Sequence, residues 1–409
     1  MIINKPENEI REIINRWAES YFKCELYGFG LSDDLGYPTF FDEDVGCYEF
    51  IDEDKSSLHE MGYKADTHRV GKRIGCGFRV KAVFDNNPLI QSKIRRGYEI
   101  LSPSDILSLG NVKIAVFPRR YYTIKKQLES YGLKEYEDFI HHSFFVAFYN
   151  YFMQNRIIVW QTTQAVTTRC TLKCKECNMF MPYYRHPEDI SIDVLSADVD
   201  AFFSRVDCVQ KYTILGGEPL LYRELAKYLQ KIQFYSSRIG EVVIATNGSI
   251  VPDDELIETA LGLGIIRFEI NNYNIGGQYS DNHNMLVERI KSSGLSYTLR
   301  NYDWSKYRRN TPISDECDLI NHYNRCNQPF TAFQDKRYYS CHLPWSAARC
   351  EINSDNPSDY LDFMDPSIAD LDIVKAGLGH FPREYTSNCA MCNGCDPMFY
   401  ESIPKAVQI

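Results

Sequence analysis

The sequence has no long apolar run. Nothing in its 409 residues approaches the roughly 20 consecutive apolar positions that span a bilayer, so no membrane partner is expected. Positive charge is also short: 45 lysines and arginines face 55 aspartates and glutamates, for a net charge of −10. Such a chain lacks the basic footprint of broad nucleic-acid binding, which argues against a nucleic-acid partner. Arg73, Arg79, Arg95, Arg96, Arg119 and Arg120 gather in the first third, where solvated surface is the plainer reading. No secretion signal is expected either. Pro6 to Phe22 reads instead as an amphipathic helix, with Ile10, Ile13, Ile14, Trp17 and Tyr21 on one side. A cytoplasmic location is expected. Cysteine, by contrast, is abundant at 14 residues, and in a reducing cytosol thiols serve metal or redox chemistry rather than disulfides. Cys24, Cys47, Cys76, Cys208 and Cys317 have no motif partners and are expected to be buried small hydrophobes.

Three of the thiols decide the reading. Cys170, Cys174 and Cys177 sit where an apolar strand, Ile157-Ile158-Val159-Trp160 onward, runs into a loop. A four-iron cubane normally takes four thiolates. Three from one short loop hold three irons and leave the fourth open to a ligand. Zinc is the rival, but structural zinc sites are closed by four ligands, and the only nearby histidine is His186, beyond Pro182. Further on, the strand Tyr212-Thr213-Ile214-Leu215 ends in Gly216-Gly217-Glu218-Pro219. Paired glycines let a ligand approach the backbone, the carboxylate can accept from an ammonium, and proline fixes the turn into a helix from Leu221 to Gln233.

Together the CxxxCxxC loop and the Gly-Gly-Glu-Pro turn resemble the radical S-adenosylmethionine (SAM) superfamily, from about Arg156 to Cys395. The resemblance implies a SAM-binding [4Fe–4S] cluster on Cys170, Cys174 and Cys177. It also implies that Gly216, Gly217, Glu218 and Pro219 bind the methionine amino group. Thr246 and Asn247 would lie near the methionine carboxylate and ribose, and Asn271 would meet the ribose hydroxyls. One residue departs from the pattern: before the third cysteine stands Glu176 rather than an aromatic residue, leaving Phe180 or Met179 to contact adenine.

Three segments follow along the chain, and the fold class is α/β. Residues 1–151 alternate strands and helices and resemble a small Rossmann-like domain. Lys81-Ala82-Val83-Phe84 leads to Asp85, Gly97 to Pro103 forms a turn into a helix, Val112 to Pro118 is a strand and Tyr121 to Tyr131 a helix. The dinucleotide fingerprint is incomplete, because Gly28 and Gly30 are followed by Asp33 instead of a third glycine. Residues 156–315 carry the strand rhythm of a partial (β/α)6 TIM barrel, too short for eight strands, whose strand ends hold the site residues. Residues 316–409 resemble a SPASM or shorter twitch extension. That implies one auxiliary [4Fe–4S] cluster on Cys326, Cys341 and two of Cys389, Cys392 and Cys395, with Cys350 structural. Lys336 replaces a glycine usual in that extension, and zinc on the same thiols is the alternative.

The expected function is that of a radical SAM oxidoreductase. SAM is reductively cleaved, and the resulting 5′-deoxyadenosyl radical abstracts hydrogen from an unactivated C–H. An auxiliary cluster that takes the remaining electron gives dehydrogenation; a hydrogen donor gives epimerisation. The Rossmann-like segment points to a small-molecule substrate, a sugar or nucleotide-linked sugar. The runner-up is a SPASM-type maturase of a ribosomally made peptide, favoured if the first segment is a winged helix rather than a parallel sheet. A catalytically silent electron-transfer protein is the third reading, although it has no need of the Gly-Gly-Glu-Pro turn. The reductant would be a flavodoxin or ferredoxin.

Overall fold

The computed structural model describes residues 5–23, 25–30, 66–68, 80–95, 98–117, 121–301, 304–306, 308–326, 331–379, 384–394 and 401–409. Cys24, Asp33, Cys47, Cys76, Cys395 and the arginines at 73, 79, 96, 119 and 120 lie outside the described residues. The chain divides into two compact units. One holds Met1–Cys47, Gly75–Ile157 and Asn324–Asn327, the other Tyr48–Ile74, Ile158–Tyr323 and Gln328–Ile409.

In the first unit, α1 (Glu7–Phe22) buries the expected side, Ile10, Ile13, Ile14, Trp17 and Tyr21. The Trp17 indole donates to the Tyr136 carbonyl at 2.8 Å, and the Tyr21 ring stacks 3.8 Å from that of Phe145. Here β1 (Leu26–Phe29) is one of the two central strands of a sheet whose other members follow, along the chain, β2 (Asp66–His68), which belongs to the second unit. They are β3 (Val80–Phe84), β4 (Ile94–Arg95), β5 (Tyr98–Leu101), β6 (Ile114–Val116) and β7 (Phe139–His141), in the order β4-β5-β3-β1-β6-β7. Every neighbouring pair is parallel except β4 with β5. Ile114, Ala115 and Val116 are all buried, as a strand covered on both faces requires. The helices α2 (Tyr121–Ser130) and α3 (His142–Gln154) complete this unit. Tyr98 to Leu101, expected as a turn, is a strand because it pairs on both sides, with β4 and with β3. Asp85 caps its own turn, accepting from the Asn87 amide at 2.8 Å.

The second unit is built on β8 (Ile158–Thr167), β9 (Cys208–Gly216), β10 (Ile239–Thr246), β11 (Ile266–Asn271) and β12 (Ser296–Arg300), each parallel to the next. Between them run α4 (Ile192–Arg205), α5 (Leu225–Gln233), α6 (Asp254–Leu263) and α7 (Gln278–Ser293). The short β13 (Trp304–Ser305) and α8 (Glu316–Arg325) follow. Then β14 (Ala332–Gln334) returns to lie parallel to β8 and makes a sixth parallel stave. β15 (Arg337–Tyr339) and β16 (Tyr360–Asp362) extend the sheet antiparallel, giving the order β16-β15-β14-β8-β9-β10-β11-β12-β2. This is an open, partial barrel among the described residues, and it runs unbroken into the cysteine-rich third segment. The β14–β15 turn, Asp335-Lys336, has both residues at positive φ, +54° and +59°. Lys336 thus stands in a conformation that favours glycine, the residue that the SPASM resemblance would place there. Two backbone bonds to the buried Asp198 carboxylate hold the turn, from Asp335 N at 3.0 Å and Lys336 N at 2.8 Å.

Candidate functional site

At the C-terminal end of β8 the chain is sewn down before the cysteines begin. The Thr167 hydroxyl and the Arg169 guanidinium both donate to Asp189, at 2.6 and 2.9 Å, and Thr168 shares three bonds with Glu188. The loop from Cys170 to Cys177 therefore starts from a fixed point. Its three thiols are free and largely shielded from solvent, and each sulfur faces N–H donors. Cys170 Sγ accepts from Leu172 N at 3.4 Å and lies 3.6 Å from Asn247 Nδ2. Cys174 Sγ accepts from Gln408 Nε2 at 3.3 Å. Burial pushes the Cys177 thiol up, and backbone N–H groups of Met181, Met179 and Phe180 oppose that rise; Phe180 is left-handed, at φ +57°, and its N–H donates to the Cys177 carbonyl at 3.0 Å. Burial pushes the Cys170 thiol up to about 12 and Cys174 up to about 11, against these donors. Donation to sulfur suits thiolates bound to iron, where such bonds tune the cluster. Among the described residues, no three cysteine, histidine or carboxylate side chains gather as a single metal ion would need. The donor set fits the cluster.

The Gly-Gly-Glu-Pro turn serves this loop directly. A Cβ on Gly217 would lie 2.1 Å from the Arg169 carbonyl and 2.8 Å from Cys170 Cβ, and one on Gly216 would lie 2.3 Å from the Thr167 carbonyl. The space that the glycines open is filled by the chain's own backbone, which brings the ends of β8 and β9 together. Glu218 is fully buried, and its carboxylate already has three protein donors. These are Leu220 N at 3.0 Å, the Thr246 hydroxyl at 2.8 Å and Asn247 N at 2.8 Å. Burial pushes Glu218 up to about 7 in spite of these bonds. Pro219 opens a short 3-10 turn, so the following helix starts later than expected, at Leu225.

Thr246, Asn247 and Asn271 converge as the strand ends require. Asn271 Nδ2 donates to the Thr246 carbonyl at 3.1 Å, and Asn247 Nδ2 reaches the Thr171 hydroxyl at 3.0 Å. Tyr279, which sequence reading missed, joins them. Its single hydroxyl proton is shared between the carbonyls of Asn247 (2.8 Å) and Asn271 (3.2 Å), and the oxygen accepts from Tyr273 N (3.0 Å). Only its place in the first turn of the helix after β11 could have signalled it. Met179 and Phe180, expected near adenine, are both buried. The first accepts from the Ser346 hydroxyl at 3.8 Å on α9 (Leu343–Arg349), and the second packs against Leu343 and Ala347 there.

Of the second cysteine field, Cys341 and Cys392 share the cluster around Phe180, with Cys350 beside it. Cys392 Sγ accepts from Gly394 N at 3.0 Å, and Cys389 Sγ from Thr386 N at 3.3 Å. Cys326 falls with the other compact unit, in Asn324–Asn327. Of the isolated cysteines, Cys208 is buried as expected, whereas Cys317 is exposed on α8. No helix among the described residues is long and apolar enough to cross a membrane.

The Radical SAM superfamily profile matches residues 165–326. The GTP 3',8-cyclase of Campylobacter jejuni subsp. doylei is 33% identical over 91 residues, 22% of this chain and 28% of that protein. The GTP 3',8-cyclase of Helicobacter pylori is 30% identical over 103 residues, 24% of this chain and 30% of that one. The match thus spans less than a third of the length of these curated relatives. Among solved structures, BtrN in complex with AdoMet and 2-DOIA is 14% identical at a TM-score of 0.38, over 61% of this chain and 100% of that one. Native anSMEcpe with bound AdoMet is 12% identical at 0.37, over 53% and 82%. The profile match encloses the cysteine loop, the Gly-Gly-Glu-Pro turn and Asn271, so the chain carries a radical SAM domain over residues 165–326.

Proposed function

We propose that this chain is a radical SAM enzyme that acts on a polar small molecule, a sugar or nucleotide-linked sugar, by dehydrogenation or epimerisation. One observation carries the reading: three shielded thiols on a single strand-end loop, each facing N–H donors, beside a cradle built from the next three strand ends. Cys170, Cys174 and Cys177 would hold a [4Fe–4S] cluster with an open iron. The Gly216–Pro219 turn, Thr246, Asn247 and Asn271 would border SAM. When bound, cluster and SAM supply the electron and the hydrogen-abstracting radical. The protein's part is to fix the three sulfurs and keep them out of water. Glu218 locks the end of β9 to the end of β10, and Tyr279 locks β10 to the segment after β11, so that the cradle is rigid before a ligand arrives.

Two features support the sugar over the peptide. The first unit is built on a sheet that is parallel in all but its β4–β5 pair, and a parallel sheet is the discriminator that favours the sugar. The sheet face bearing Asn271 is also strongly polar: by register it carries Lys211, Glu241, Arg267, Glu269 and Arg300. Arg267 is bonded to Glu241 at 3.0 Å, and Glu269 lies 3.5 Å from both Arg267 and Arg300. A face of paired charges suits a hydroxyl- or phosphate-bearing substrate better than an apolar peptide side chain. The grouping of Cys341 and Cys392 supports an auxiliary cluster in the same unit, which would accept the substrate's second electron. A flavodoxin or ferredoxin is the proposed source of the first.

The test is anaerobic reconstitution with iron and sulfide, followed by SAM and dithionite. Release of 5′-deoxyadenosine supports the reading, and a reconstituted protein that releases none overturns it. Nucleotide sugars and short peptides added in parallel separate the two substrate classes by which one consumes SAM to give a product altered by two hydrogens or inverted at one carbon.

A further inference from the structure

The sulfur of Cys174 has a partner from far along the chain. Residues 406–409 run antiparallel beside the cysteine loop: Lys175 N donates to Val407 O at 2.8 Å, and Ile409 N donates to Lys173 O at 3.0 Å. Gln408 sits opposite Cys174, and every group of its amide is engaged. Oε1 accepts from Lys173 N at 2.7 Å, while Nε2 donates to Ala406 O at 2.6 Å and to Cys174 Sγ at 3.3 Å. Lys173 N can only donate and Ala406 O can only accept, so the amide cannot be turned over, and an N–H must face the sulfur. Ala406 itself is buried in the left-handed region at φ +47°, a costly conformation for alanine that a structure keeps only when its surroundings over-determine it. Asn247 stands to Cys170 much as Gln408 stands to Cys174.

We propose that Gln408 is a positioning residue for the SAM-binding cluster, which holds the cysteine loop in place and raises the cluster's reduction potential through its bond to Cys174. This inference rests on the radical SAM reading of Cys170, Cys174 and Cys177. The sign follows from charge. The reduced cluster carries one more negative charge than the oxidised cluster, spread partly onto its sulfurs, and a donor to sulfur stabilises that form more. Without the donor the cluster is harder to reduce.

The experiment compares reconstituted wild type with Gln408→Leu and Gln408→Glu. Leucine removes the donor without adding charge. Glutamate keeps an acceptor for Lys173 N but has no N–H for the sulfur. Iron and sulfide are counted, and the midpoint potential is measured by EPR-monitored titration of the signal that SAM perturbs, which identifies the cluster with the open iron. Both variants are expected to shift to more negative potential, glutamate further than leucine, with iron content retained. Unchanged potentials at full iron content overturn the proposal. So does loss of iron from both variants with the remaining fraction titrating as wild type, which would leave Gln408 a role in holding the loop alone. A wild type that assembles no SAM-perturbed cluster overturns this proposal and the radical SAM reading together.

Discussion

Glu218 Oε2 accepts the backbone N–H of Asn247 at 2.8 Å, and this bond ties the turn after β9 to the turn after β10. With the Thr246 hydroxyl and Leu220 N on the other oxygen, the carboxylate is the keystone of the strand-end cradle. Glutamine offers one acceptor oxygen and an NH2 that must face a donor. Glu218→Gln is therefore expected to destabilise the protein by about 1–3 kcal/mol, the cost of leaving buried partners unpaired, and to weaken SAM binding as a consequence. Denaturant unfolding beside SAM titration checks this; unchanged stability would mean that the carboxylate does not organise the cradle.

Gly217→Ala tests the approach of the turn to the cysteine loop. Its Cβ would meet backbone, the Arg169 carbonyl, which no side-chain rotation can relieve. The expected outcome is a folded protein by circular dichroism whose SAM-perturbed cluster signal is lost. A full signal in this variant would show that the loop can shift without cost.

How much of this was legible in the sequence depended on distance along the chain. The cysteine loop, the Gly-Gly-Glu-Pro turn and the strands that present them are local patterns, and α1 and the β10–β12 strands follow from periodicity alone. Glu218 stands out in its motif, but its partners Thr246 and Asn247 became visible as partners only once β10 lay beside β9. Gln408 lies 234 residues from Cys174 in no motif, and nothing short of the folded chain brings the two together. Tyr98 to Leu101 was misread because a strand flanked by Gly97 and Pro103 looks like a turn until its neighbours pair with it. Cys317 was misread because a lone cysteine carries no sign of which helix face it occupies.

Asp198 gives a pH prediction. Burial is the largest cause of its shift and pushes it up to about 6, in spite of bonds from Lys336 N, Asp335 N and Gln164. An unfolded aspartate titrates near 4. Between about pH 4 and pH 6 the folded protein therefore holds the extra proton, and the contribution of Asp198 to stability falls as pH rises across that window. Above it the contribution is constant. Denaturant unfolding over pH 4–7 is expected to show a shallower loss of stability with rising pH in Asp198→Asn than in wild type. Identical slopes would contradict the buried-carboxylate account of the β14–β15 turn.

Cys341 lies with Cys392 in the apolar cluster around Phe180. Cys341→Ala is expected to lose the auxiliary cluster and the oxidised product, while SAM is still cleaved to 5′-deoxyadenosine. Because loss of a metal site can unfold a small region, circular dichroism must first show a folded variant. A folded variant that has lost the auxiliary cluster yet forms product at the wild-type rate would give that cluster a structural role only.

The most direct test is the Cys170→Ala/Cys174→Ala/Cys177→Ala triple variant, reconstituted anaerobically beside wild type and challenged with SAM and dithionite. Wild type is expected to bind about eight irons as two four-iron clusters and to release 5′-deoxyadenosine; the variant is expected to keep about four and release none. Wild-type cleavage of SAM by the triple variant would contradict the assignment of the site.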